Sequence, residues 1–125
     1  METCIWTGKS GKQYAYGIYH PSANWNPIGG NYIFASIFLG RWVAHYIGQT
    51  DNFRTRFASH EKWDEAVRAG ATHILAHTNA DTLAKLNEEF DLIQSNSPSC
   101  NVQHQPGIGL SGLSSLLNFP WPPAR

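Results

Sequence analysis

Apolar and polar positions alternate near the start of the chain. Tyr14, Tyr16 and Ile18 interleave with Ala15, Gly17 and Tyr19, and Gly8-Lys9-Ser10-Gly11 interrupts the β-forming run from Ile5 to Tyr19. A period of two broken by a glycine-rich tetrapeptide predicts a hairpin. The stretch 21–30 carries Pro, Ser, Asn and Gly and predicts a loop. Asn31 to Phe38 is apolar and β-branched, Leu39-Gly40 supplies a turn, and Arg41 to Ile47 supplies the partner strand. The period then lengthens. Asn52 is placed to cap a helix through Phe53, Phe57 and His60, and a second helix runs from Glu61 to Gly70. Thr72 to His77 predicts a third core strand. Asn79 or Asp81 caps a longer helix to about Ser95, with Leu83, Leu86, Phe90 and Ile93 as its apolar stripe.

This order of elements predicts an α/β (α+β) fold: a small antiparallel three-stranded core sheet flanked by helices, with an extra N-terminal β-hairpin. The chain divides into a hairpin extension, 1–28, a central domain, 29–102, and a Gly/Ser/Pro-rich tail, 103–125. The closing Phe119-Pro120-Trp121-Pro122-Pro123 excludes regular helix there.

Composition narrows the function classes. A chain of 125 residues is long enough for one domain with a real core, and 13% aromatic content argues against disorder throughout. The formal net charge is zero, which argues against gripping nucleic acid by bulk charge and leaves room for a local basic patch. Cys4 and Cys100 are far apart, without CxxC spacing. That fits free thiols in a reducing compartment and leaves one disulfide open. No basic segment leads into an apolar run and no apolar stretch approaches ~20 residues, so a cytoplasmic location and no membrane partner are expected.

Several motifs fail on inspection. Thr7-Gly8-Lys9-Ser10-Gly11-Lys12 resembles the end of a phosphate-binding loop, but Thr3 stands where the pattern needs glycine. His60-Glu61-Lys62-Trp63-Asp64 begins like a zincin helix and has Asp64 where the second histidine belongs. His73 and His77 share a strand face without a third ligand.

One constellation holds. Tyr32 follows Gly30-Asn31 at the start of one strand, and Tyr46 precedes Ile47-Gly48 at the end of the next. Hairpin pairing brings the two phenols together, and Gly48 leaves open backbone for a substrate. Arg56 and His60, four apart, share a helical face, while Arg54 points nearer solvent. On the last helix Glu89 flanks the apolar stripe and Glu88 lies nearly opposite, in water. Two tyrosines, an arginine, a histidine and a carboxylate form a set suited to phosphodiester hydrolysis. A hard divalent cation at Glu89 neutralises phosphate charge, the fork of Arg56 holds a non-bridging oxygen, and a tyrosine orients or deprotonates water. Thr50 and Asn52 cap the helix that presents Arg56.

The run Tyr46-Ile47-Gly48-Gln49-Thr50-Asp51-Asn52-Phe53, with Gly30-Asn31-Tyr32 before it and Arg56, His60, Glu89 and Asn101 after it, resembles the GIY-YIG nuclease superfamily over roughly 29–101. Gly17-Ile18-Tyr19 spells the family's first triplet literally, but it stands too far upstream for a hairpin partner, so Tyr32 is preferred. The resemblance implies cleavage of DNA phosphodiesters with Mg2+ or Mn2+ bound at Glu89 and no organic cofactor. It implies catalytic roles for Tyr32, Tyr46, Arg56, His60 and Glu89, with Gly48, Thr50, Arg54 and Asn101 along the substrate path and Asn101 as the family's structural asparagine. Either tyrosine could be the base, and a homodimer is compatible with the pattern. Asn31 departs from the usual aliphatic residue. With no basic excess, the chain is more similar to the short stand-alone bacterial or prophage members than to those with a separate DNA-binding module. The alternative function is a catalytically weak nucleic-acid-binding or protein-interaction module.

Overall fold

The computed structural model describes residues 2–101. Five strands, β1 (Thr3–Thr7), β2 (Gln13–Tyr19), β3 (Gly30–Phe38), β4 (Arg41–Thr50) and β5 (His73–Thr78), form one antiparallel sheet in the order β1-β2-β5-β3-β4. Three α-helices pack on it: α1 (Phe53–Ala58), α2 (Trp63–Arg68) and α3 (Thr82–Asn96). A 3-10 turn, Ser99–Asn101, follows. The mixed α+β class is as expected. The N-terminal hairpin forms as its alternation predicts, and β2 pairs with β5, so the hairpin continues the same sheet. No helix among the described residues is long and apolar enough to cross a membrane. The predicted tail, 103–125, lies outside the described residues.

The two faces of the sheet differ. One carries Tyr32, Phe34, Tyr46 and Ile74, packed against Phe53, Phe57, Ala66 and Trp63 of α1 and α2. The other carries Tyr16, Ile33, Ala35, Ile47 and Leu75 against Leu92 of α3. A bulge between Phe34 and Ala35 divides the β3–β4 ladder: Phe34 opposes Tyr46, while Ala35 opposes Ala44. His45 is the extra residue. Its Nε2 meets Ser36 Oγ at 2.8 Å, and Ala44 and Tyr46, two apart in sequence, face opposite sides of the sheet.

The helix α3 overturns the predicted amphipathic pattern. Asp81 caps it by accepting from the backbone N–H groups of Leu83 and Ala84, but Leu83 and Phe90 are exposed, at 66% and 46%. Its buried side is Lys85, Glu88, Glu89 and Leu92. The reason lies in the sheet beneath, which presents polar tips that need partners. Tyr16 donates to Glu88 Oε2 at 2.6 Å, and His77 Nδ1 meets the same oxygen at 2.9 Å. Asn31 Nδ2 donates to the Lys85 carbonyl at 2.9 Å. Lys85 Nζ reaches Thr50 O at 3.2 Å and the Asp51 carboxylate. Glu88 is therefore buried, contrary to its expected place in water.

The failed motifs find structural uses. Asp91 of α3 accepts from Ser10 N at 2.8 Å, Ser10 Oγ at 2.7 Å and Tyr14 Oη at 2.8 Å, so the glycine-rich turn of the hairpin grips a carboxylate of its own chain. His73 bonds Thr72 Oγ1 at 2.8 Å and packs on Trp42. It stands four residues from His77 on an extended strand, roughly 13 Å away, too far for one metal ion. Cys4 and Cys100 are free thiols.

At the sheet edge, the Asn101 side chain accepts from Ile47 N and donates to Ile47 O, both at 2.9 Å. One amide thus satisfies the outward backbone groups of an edge strand. Both polar groups of the Asn101 amide are thus engaged with β4. Asn101→Ala is expected to cost about 1–3 kcal/mol by leaving those groups unpaired. A fall in thermal midpoint relative to wild type checks it; an unchanged midpoint removes Asn101 from the fold's support.

Candidate active site

The site begins with a missing side chain. Tyr32 on β3 pairs with Gly48 on β4. A Cβ at Gly48 would stand 2.6 Å from Tyr32 Oη and 3.0 Å from Tyr46 Cε2. Gly48 therefore makes room for Tyr32, and the opening expected for substrate is filled by that ring. The Tyr32 and Tyr46 ring centroids are 6.2 Å apart. Tyr19 lies on β2, two strands from β3, and packs on Trp25. Tyr32, and not the literal triplet's tyrosine, neighbours Tyr46.

Two caps set up α1. Asn52 Oδ1 accepts from Thr55 N at 3.1 Å, and Thr50 Oγ1 accepts from Asn52 N at 3.2 Å. Thr50 thus serves the helix start in this structure. The helix ends sooner than expected, at Ala58, where Ser59 turns extended. His60 therefore does not share a helical face with Arg56. It sits in the connection to α2, and the chain's return brings its Nε2 to 2.6 Å from Tyr32 Oη. Its Nδ1 accepts from Lys62 N at 3.0 Å, so Nδ1 is unprotonated and the neutral ring carries its proton on Nε2, donating to Tyr32. Burial, aided by the Arg56 charge, lowers the His60 pKa to about 4, so the ring is neutral near pH 7.

Arg56 pairs with Glu61 through two bonds, Nη1 to Oε1 and Nη2 to Oε2, both at 3.1 Å. Burial opposes the guanidinium's charge, and Glu61 and Tyr32 more than offset it. The Arg56 hydrogen bonds hold Glu61 down at about 2. Glu61 is absent from the sequence-based set, because an acid five residues beyond the arginine has no periodic relation to it. Burial first, then Tyr46, raises the Tyr32 pKa, against the opposing effect of Arg56. The Tyr32 oxygen thus meets a donor from His60 and the charge of Arg56, an arrangement that favours a developing phenolate within an otherwise unfavourable apolar setting.

Four of the five expected catalytic residues, Tyr32, Tyr46, Arg56 and His60, gather on the α1/α2 face. Glu89 is carried by α3, is 6% exposed, and acts on both Tyr32 and Tyr16 through its charge. Among the described residues no group of three or more His, Cys, Asp or Glu side chains converges as a metal cage.

A cleft of about 550 Å³ opens beside His60, floored by Phe34 and walled by Trp25, Phe57 and Trp63, with Arg54 among its lining residues. Tyr32, Tyr46 and Arg56 do not line it, contrary to the expectation of one shared cavity. Arg54 Nε donates to Trp25 O at 3.0 Å. Compared with protein-family models, curated proteins and solved structures, the chain matches none.

Gly48→Ala is expected to push Tyr32 off His60 and to destabilise the fold by about 1–3 kcal/mol through overpacking. Thermal unfolding together with the Tyr32 ring resonances reads both effects. Unchanged resonances would show that the ring is not held by Gly48.

His60 also has a pH signature. Its folded pKa is lowered, so its contribution to stability is full above about pH 6.5 and is lost as pH falls towards 4. The stability difference between wild type and His60→Phe should shrink over that window. An NMR titration of the His60 ring should show no protonation above about pH 5, and a midpoint near 6.5 would contradict the burial argument.

Proposed function

We propose that the protein is a divalent-metal-dependent endonuclease of the GIY-YIG type that hydrolyses DNA phosphodiester bonds. The observation that carries this reading is the convergence on the Tyr32 hydroxyl of the neutral His60 ring at 2.6 Å and the charge of Arg56, with Tyr46 alongside. In this reading β5, β3 and β4 with α1 to α3 are the nuclease core, the β1–β2 hairpin is an extension, and 103–125 is a tail.

In this reading a hard cation is held in the simplest way, by one carboxylate. Glu89 offers carboxylate oxygen, and its charge is felt at Tyr32. Mg2+ is commonly bound by one or two carboxylates, with water and substrate phosphate completing its shell. Bound there, Mg2+ or Mn2+ would supply charge neutralisation at the phosphate. Everything else falls to the chain's own groups. Arg56 exchanges the Glu61 carboxylate for two non-bridging phosphate oxygens, keeping its bidentate geometry. His60 fixes the Tyr32 hydroxyl, which with Tyr46 orients the attacking water.

One observation favours the second reading, a module that binds nucleic acid without cutting it efficiently. Glu61 already fills the Arg56 fork, so phosphate must compete with an ion pair.

Plasmid nicking by the full chain with Mg2+ or Mn2+ tests the proposal. Arg56→Ala and Arg56→Lys are each expected to lower the rate by ~10²–10³, since lysine keeps the charge and loses the fork. Glu89→Ala is expected to abolish the metal dependence with helicity retained, whereas Glu88→Ala unpairs Tyr16 and His77 and lowers the thermal midpoint. Full nicking by Arg56→Ala would overturn the nuclease reading.

A further inference from the structure

The cleft beside His60 has no role in the hydrolytic set. Trp25 and Trp63, both half-buried, belong to two different segments that flank it, the loop after β2 and the start of α2. Phe34 is fully buried at its floor. The wall is held rigidly by its own ring packing: Trp25 stands on Phe57 at 4.7 Å and on Tyr19 at 4.9 Å, and Trp63 stands on Phe34 at 4.9 Å. Such a wall presents aromatic surface at little ordering cost on binding.

Charge selects the occupant. Arg54 is exposed, and its Nε bond to Trp25 O pins the guanidinium across the same loop. Among the described residues no carboxylate pairs with Arg54, whereas Arg56 and Lys62 pair with Glu61 and Glu65. An aromatic cleft with a cation at its edge fits a flat ring attached to an anion. His60 joins the cleft to the site, because it lines the one and bonds Tyr32 in the other.

We infer that this cleft binds one unstacked nucleobase of a single-stranded or locally opened nucleic acid, with Arg54 on the adjoining phosphate. The inference rests on the proposed nuclease reading for its choice of nucleic acid, and it narrows the substrate to strands whose bases are free to leave the stack. Base–aromatic stacking tolerates every base, so affinity should follow strandedness more than sequence. It also suits a chain of zero net charge, because stacking supplies affinity that phosphate contacts alone cannot.

The test is equilibrium binding of the full chain, in EDTA to exclude cleavage, to three fluorescently labelled probes of one length: a deoxyribose single strand, the same strand made abasic, and its duplex. The native strand is expected to bind at least about fivefold tighter than the abasic one, the lower end of what stacking one base confers, and tighter than the duplex. Trp25→Ala should remove that advantage while leaving abasic affinity unchanged. Since Trp25 also packs in the core, Ala58→Leu is the second variant. It narrows the cleft from an exposed helix-end position without changing charge, and should have the same effect. Arg54→Ala should weaken native and abasic strands alike. Equal affinity for native and abasic strands would overturn the inference, as would a base-dependent advantage that survives both cleft variants. Because no metal is present, this result is independent of nicking: a chain that prefers bases yet fails to cut retains the cleft and loses the nuclease reading.

Discussion

The register of β3 against β4 is the constraint on which the site depends. It sets Tyr32 opposite Gly48, where the absent Cβ lets the phenol ring lie across the neighbouring strand. A slip of one residue would turn Tyr32 towards α3 and Ile33 towards α1, because side chains alternate with a period of two. The regular ladder sets Tyr46 opposite Phe34, on the same face as Tyr32, and the bulge at His45 then turns Ala44 the other way. The paired tyrosines are thus a product of one glycine and an unbroken register between residues 30–34 and 46–50.

The opposite face obeys a different demand. Tyr16, Asn31 and His77 bring polar atoms under α3, and buried polar atoms need partners. Glu88 answers two of them and the Lys85 carbonyl a third. Lys85 extends the same logic by tying the first turn of α3 to the end of β4, shortly after the Tyr-Ile-Gly triplet. This polar layer gives the helix a defined register on the sheet, since sliding it would break several directional bonds together. Asn31 belongs to this layer: an aliphatic residue there would lose the bond to the Lys85 carbonyl.

On the α1/α2 face the aromatic rings both pack the domain and surround its polar groups. Phe34 and Phe57 pack on Tyr32, and both reach the cleft. Low polarity around His60 keeps its ring neutral. Low polarity around Tyr32 holds its proton until a partner appears. The Arg56–Glu61 pair keeps the guanidinium's two terminal nitrogens satisfied by a carboxylate, the same fork-to-oxygen geometry a phosphate would use.

Local pattern determined much of this protein. The alternation from Tyr14 to Tyr19 specified a strand, Gly8 to Gly11 its turn, Asn52 and Asp81 their helix starts, and the spacing of Tyr32 and Tyr46 a hairpin. Each rests on interactions between near neighbours, which sequence records directly. Other features depended on groups that meet only after folding. The helix through Phe57 stops at Ala58, so His60 reaches Tyr32 by a chain reversal rather than by helical periodicity. Glu61 finds Arg56 through that same reversal. The outward leucines of α3 misled the amphipathic reading because the polar tips of Tyr16 and His77, more than sixty and about ten residues away in sequence, decide which side of the helix is buried. Hydrophobic periodicity reports the burial a helix prefers on average; the hydrogen-bonding needs of the sheet below α3 outweighed it, and only the tertiary structure brings those groups together.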